Sequence, residues 1–171
     1  MKQIKIFLYV LPLLLNAGII RSQDVLPKPI SIPLLEAMEG TWVSEPYEFM
    51  GSKMNDEADH KMILNGQFME IDVMSKSDKG FTYQGKGIIS PSTDGTIIGW
   101  FYDIYGKEGI MTYTGIWENN KILLTGSSKF MDEKREIVLD GDKMIHNLTF
   151  DMKMPGMEEM QQKLTVTYKK K

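Results

Sequence analysis

The 171-residue chain contains no cysteine. That absence excludes disulfide staples, thiol catalysis, thiolate metal sites and the acylated cysteine of a bacterial lipoprotein anchor. Histidine is almost as scarce, since His60 and His146 are the only imidazoles available as ligands. Arginine is confined to Arg21 and Arg135. No glycine-rich loop leads into a helix, and Ser127-Ser128 lacks the strand–turn–helix context of a nucleophile elbow.

What is present begins with export chemistry. Lys2 and Lys5 precede an apolar run from Ile6 to Leu15, followed by a polar stretch ending in Arg21-Ser22-Gln23. That order predicts a secretory signal peptide over residues 1–22, with Ser22 the last residue removed. The apolar run is too short to span a bilayer, and Pro12 breaks it as a core helix. The expected destination is the periplasm or the medium. Loss of Lys2, Lys5 and Arg21 leaves 17 basic residues against 23 acidic ones, taking the formal net charge from -3 to -6. Such a surface repels phosphate backbones and anionic membranes, so neither nucleic acid nor a stable membrane anchor is expected. With 42% hydrophobic residues and no disulfide, the mature chain has to be held by its core.

Residues 23–30, with Pro27 and Pro29, read as an extended leader, and 31–171 as a single domain. Ser31 to Gly40 predicts one short helix, with Ser31 as N-cap, Pro33 in the first turn and Gly40 as the stop. From Thr41 the pattern changes to short runs of period two, rich in β-branched and aromatic residues. Turns such as Asn65-Gly66, Asp94-Gly95, Asn119-Asn120 and Asp140-Gly141 separate them. The expectation is all-β: an antiparallel up-and-down barrel of about ten strands, closed so that no edge is left unpaired, with a short N-terminal helix over one end.

Alternation predicts which side chains look inward. Ala58, His60, Met62 and Leu64 form one such row, and Met69, Ile71 and Val73 another. Met144, His146, Leu148 and Phe150 share a face, as do Leu164, Val166 and Tyr168. Both histidines therefore fall on apolar faces. Trp42, Trp100, Tyr102, Tyr113 and Trp117, together with His146, are the candidates for the wall of a binding cavity, although the same rings could simply fill a core. Arg135, beside Ile137 and Leu139, would receive an anionic head group if it faced inward; a surface position is the plainer expectation. Glu70 with Asp72, and Asp140 with Asp142, have the spacing of paired carboxylates, but alternation sends the first pair to solvent and the second flanks a turn.

Gly40-Thr41-Trp42, after a short helix and at the head of the first strand, resembles the opening signature of the calycins, which include lipocalins and fatty-acid-binding proteins. The resemblance implies a Trp that plugs one barrel end beneath a basic residue from the last strand, here Lys169 or Lys170. Asn65-Gly66-Gln67-Phe68-Met69, Gly85-Lys86-Gly87, Gly99-Trp100-Phe101-Tyr102-Asp103, Gly115-Ile116-Trp117 and the closing Thr167-Tyr168-Lys169-Lys170 resemble, in that order, a bacterial family of domains of unknown function, number fifteen seventy-nine. That family implies the barrel and no activity. The chain departs from its pattern in having Trp-Phe-Tyr-Asp where a plainer Gly-Tyr-Asp is expected. Ten-stranded barrels similar to nitrobindin hold haem through one wall histidine, a role the resemblance would give to His146.

Fourteen methionines is a high count for this length. Met152, Met154, Met157 and Met160 gather thioethers around one turn, a soft donor set suited to Cu(I), or equally a flexible barrel end. The expected function is non-enzymatic: a barrel holding a small apolar or amphipathic ligand. Haem or copper binding through His146 or the Met152–Met160 cluster is one rival. A filled barrel acting as an accessory domain for another protein is the second.

Overall fold

The computed structural model describes residues 27–153 and 160–171. One short helix, α1 (Pro33–Met38), precedes eleven strands: β1 (Gly40–Ser44), β2 (Tyr47–Phe49), β3 (Ser52–Ile63), β4 (Phe68–Ser77), β5 (Thr82–Pro91), β6 (Thr96–Asp103), β7 (Met111–Glu118), β8 (Lys121–Ser127), β9 (Met131–Asp140), β10 (Lys143–Met152) and β11 (Met160–Lys170). Successive strands from β3 to β11 pair antiparallel, and β1 joins β11 to β3 (Trp42 opposite Lys170 on one side and Ala58 on the other). The result is a closed ten-strand barrel. β1 makes the closure by pairing with both β11 and β3, while β2 pairs with β3.

β2 prolongs β1 after an interruption at Glu45-Pro46. β1 faces β3 with Val43 opposite Glu57, whereas Tyr47 faces Met54, one residue out of step with that register. The extra residue makes a bulge. Pro46 has no N–H to lose from the ladder, the Glu45 N–H donates to Thr167 O at 2.7 Å, and the Asp56 N–H donates to Ser44 Oγ at 2.7 Å. A one-residue step exchanges the faces of a strand. Trp42 and Ser44 point inward before the bulge, and after it Tyr47 and Phe49 do.

The end covered by α1 is densely packed. Ile32, Leu34, Leu35 and Met38 are buried there with Trp42, Met69, Ile97, Ile122 and Met144. The Trp42 indole N–H donates to Met38 O at 2.8 Å. Lys170 Nζ lies 5.4 Å from the Trp42 ring centre and donates to Ala37 O at 3.1 Å, so the last strand locks both plug and helix. Of the two lysines considered for this contact, Lys170 makes it; Lys169 pairs with Glu45 outside. Gly40 turns the corner from α1 into β1 at φ +112°, where a side chain would be strained and would meet Lys170 Cε at 3.2 Å.

Three local expectations change. The helix is capped by Ile32, whose carbonyl accepts from Leu35 and Glu36, while the Ser31 hydroxyl donates to the Glu36 carboxyl at 2.7 Å. Burying Ile32 in the plug moves the cap one residue on. Leu64 ends outside at φ 50° in the β3–β4 turn, where the row it was expected to continue has already left the sheet. Residues 27–30 are tied to that turn: Asn65 Nδ2 and Gln67 Nε2 donate to Pro27 O and Lys28 O, and Ile30 N–H donates to Gly66 O. The signal peptide expected over 1–22 lies outside the described residues.

Candidate functional site

Inside the barrel the half nearest α1 is apolar but for the buried His60, and the far half carries a belt of hydroxyl, carboxyl and guanidinium groups. Its elements are three acidic side chains, each holding tyrosine. Asp56, on β3 and 5% exposed, accepts from Tyr47 (2.9 and 3.0 Å) and from Tyr168 (2.8 Å). Asp103, at the end of β6, accepts from Tyr83 (3.1 Å) and from the Tyr105 N–H. Glu133, on β9 and 2% exposed, accepts from Arg135 Nε at 2.6 Å and from the Tyr113 hydroxyl.

These pairings set the electrostatics. Burial, reinforced by Asp56, pushes the Tyr47 and Tyr168 hydroxyls well above the ordinary phenol range. Burial with Asp103 does the same for Tyr83, and burial is the main cause for Tyr113. All four remain neutral donors. For Arg135 burial alone would lower the pKa, but Glu133 and the tyrosines around it hold it above its ordinary value, and the guanidinium stays charged.

Arg135 marks where the belt has room. It stands at the middle of β9, in the same inward row as Glu133 and Ile137, yet its side chain is 26% exposed. Of its donors Nε is engaged with Glu133, and among the described residues the terminal nitrogens have no hydrogen-bond partner. Elsewhere on the inner wall Ile71, Val73, Tyr83, Phe101 and Leu164 are only partly buried. A Cβ on Gly85 would come within 2.2 Å of the Phe101 ring, so glycine there lets the ring lie flat on the wall and keeps the chamber from filling. Two hollows, of about 720 and 560 Å³, open to solvent along the wall. Arg135 lines the first with Leu124, Leu148, Lys134 and Glu136; Asp72, Lys86, Tyr102 and Asp103 border the second.

Among the side chains selected from sequence, Trp42, Tyr113, Trp117 and His146 face inward. Trp42 belongs to the plug, Tyr113 to the belt, and the Trp117 indole N–H donates to Ser92 O at 2.9 Å. Trp100 and Tyr102 face outward, with Tyr102 42% exposed, because Ile97, Gly99, Phe101 and Asp103 take the inner face of β6. The Trp-Phe-Tyr-Asp stretch thus gives Phe101 to the interior and shows the neighbouring rings to solvent. Arg135 faces inward, against the plainer expectation of a surface position, because Glu133 and the tyrosines meet its charge there. Glu70 and Asp72 are outside, each 3.0 Å from Lys86 Nζ, and Asp140 and Asp142 flank Gly141 in the solvent.

His146 is 7% exposed, its ring 4.9 Å from that of Tyr168, and Nε2 has no partner. Burial first, then Arg135, hold its pKa well below the imidazole range, so the ring is neutral. Its surroundings combine Tyr168 and Arg135 with the apolar Met144, Leu148 and Val166 of the same wall. Among the described residues no three His, Asp or Glu side chains converge on a metal-sized point. Met152 is buried at the far end and pairs across the ladder with exposed Met160; Met154 and Met157 lie outside the described residues.

Sequence reasoning missed Tyr47, Asp56, Tyr83, Asp103 and Glu133. Asp56 was within reach, since it continues the Ala58–His60–Met62 row two residues earlier.

No family model matches the chain, and no curated protein does. Among solved structures, Rv2717c from M. tuberculosis matches with a TM-score of 0.63 at 14% identity, over 83% of this chain and 99% of that one. At that identity the likeness shows a shared fold and nothing of its use.

Proposed function

We propose that the protein binds a small amphipathic molecule in the far half of the barrel, without chemical turnover. The observation that carries this reading is Arg135: a charged side chain on the inner wall at mid-strand, a quarter exposed, lining a hollow of about 720 Å³, with terminal nitrogens that have no partner among the described residues. The division of the interior supports it. An apolar floor can take the hydrophobic part of a guest, while a belt of prearranged hydroxyl and carboxyl groups orients its polar part. The belt's polar groups are mostly committed to one another, as suits a receptor held rigid before its guest arrives. The zones of the first residues support export, which puts this receptor in the periplasm or the medium.

The neutral dye N-phenyl-1-naphthylamine tests the reading. It is expected to brighten on binding with one site per chain, and Gly85→Leu, which fills the space next to Phe101, is expected to abolish the signal while the barrel stays folded by circular dichroism. A dye signal unchanged by Gly85→Leu would place binding elsewhere and defeat the reading. N-terminal sequencing of the protein from its host tests export, with Gln23 expected as the first residue.

A further inference from the structure

Taking the chamber as a ligand site, as the preceding reading does, we infer that its guest is an organic cation, an alkyl- or arylammonium whose nitrogen sits within the belt between Asp56 and Asp103. The inference comes from a charge count of the inner wall. Asp56, Asp103 and Glu133 bring three formal negative charges and Arg135 one positive charge, a formal balance of -2. Arg135 is committed to Glu133 at 2.6 Å; its charge is also felt at Tyr47, Tyr83 and Tyr168, but one positive charge cannot balance three acidic groups.

Among the described residues Asp56 and Asp103 have tyrosine and backbone donors and no cation within ion-pair distance. Both histidines are neutral, so neither supplies the missing charge: burial lowers His60 to about 4 and holds His146 well below its ordinary range. A buried acidic side chain without a counter-charge is unfavourable in proportion to its loss of water. A cationic guest would supply the counter-charge, whereas an anion would meet like charge on two sides.

The remaining hydrogen-bonding capacity points the same way. The four tyrosine hydroxyls spend their protons on the acidic groups, and Tyr47 in turn accepts from Ser75. His146, more than nine-tenths buried on the inner face next to Tyr168, leaves Nε2 without a partner among the described residues, and Gln162 Oε1 on the same side is an acceptor left unpartnered there too. The inner wall thus holds more acceptor oxygens than cationic donors. The rings of Tyr47, Tyr83, Phe101, Tyr113 and Tyr168 complete an enclosure whose π faces attract a cation and carry no penalty for its alkyl groups.

Displacement of N-phenyl-1-naphthylamine by three probes with the same tail tests the inference: decyltrimethylammonium, decanoate and decanol, each below its micellar concentration. The ammonium is expected to displace the dye at a concentration at least about tenfold below that of decanoate, with decanol between them. Asp103→Asn and, separately, Asp56→Asn are expected to shrink that ratio to about threefold or less. Asp72→Asn, on the outer wall, should leave it unchanged. Asp103 is partly exposed at the rim, so its variant remains informative if Asp56→Asn fails to fold. Equal or better displacement by decanoate overturns the inference and leaves the chamber reading standing, as does a ratio that neither inner variant changes or that Asp72→Asn lowers equally. Failure of the dye itself to bind overturns both.

Discussion

The two halves of the barrel interior solve different problems with the same strands. Near α1 the wall presents Trp42, Met69, Ile97, Ile122 and Met144, with the neutral His60 the buried polar side chain among them. Eight to ten ångströms along the same strands, about three residues, the wall turns to acidic groups, tyrosines and one arginine. The first half stabilises by removing apolar surface from water, and the second adds little by burial alone, since its groups gain only what hydrogen bonding returns. The difference teaches that the plugged half carries stability while the belt is kept for recognition.

That contrast is broken most severely by Trp42→Ala, which should cost about 3–5 kcal/mol and lower the melting temperature sharply, while the fraction still folded binds dye as before. A small loss in a denaturant titration would show that the plug is not the keystone. Acid titration comes next. In the unfolded chain an imidazole takes up a proton near 6.5, but His60 in the fold does so only near 4, chiefly because it is buried. Between those values the unfolded chain binds the extra proton, so stability is full above 6.5 and falls as the pH is lowered to about 4. For His60 the loss amounts to about 3 kcal/mol, and the difference between wild type and His60→Leu across that window measures it.

Tyr168→Phe tests the belt. It removes one of two tyrosine donors from Asp56 and should cost about 1–2 kcal/mol, less than the plug variant because Tyr47 remains. A cost equal to that of Trp42→Ala would erase the distinction between the halves. Lys86→Gln, on the outer wall against Glu70 and Asp72, should leave the melting temperature within experimental scatter, since all three side chains stay hydrated.

The plugged half was legible in the sequence because its signals are local. Gly40-Thr41-Trp42, the Leu34–Leu35–Met38 face and the alternation around His60 and His146 each need only a few neighbouring residues to be read. The belt was not, because its pairs cross the barrel: Asp56 meets Tyr168 across 112 residues of chain. On β6 the apolar count favoured Trp100 and Tyr102, while the glycine opposite Phe101 decided the face, and that opposition requires the β5–β6 register. Arg135 was read by residue type, for which the surface is the ordinary place, and only its close pairing with Glu133 reverses that.

The extra residue at Glu45-Pro46 decides which side chains of this segment reach the interior. Trp42 and Ser44 face inward from even positions, and after the step Tyr47 and Phe49 do so from odd ones, which brings a tyrosine to Asp56 and a ring edge-on to Phe150 at 6.0 Å. Deleting Glu45 would close the bulge and bring Tyr47 opposite Met54 in the register of β1, with both rings still inward. The lining of this segment therefore tolerates loss of that one residue, while the bend it gives the ladder does not.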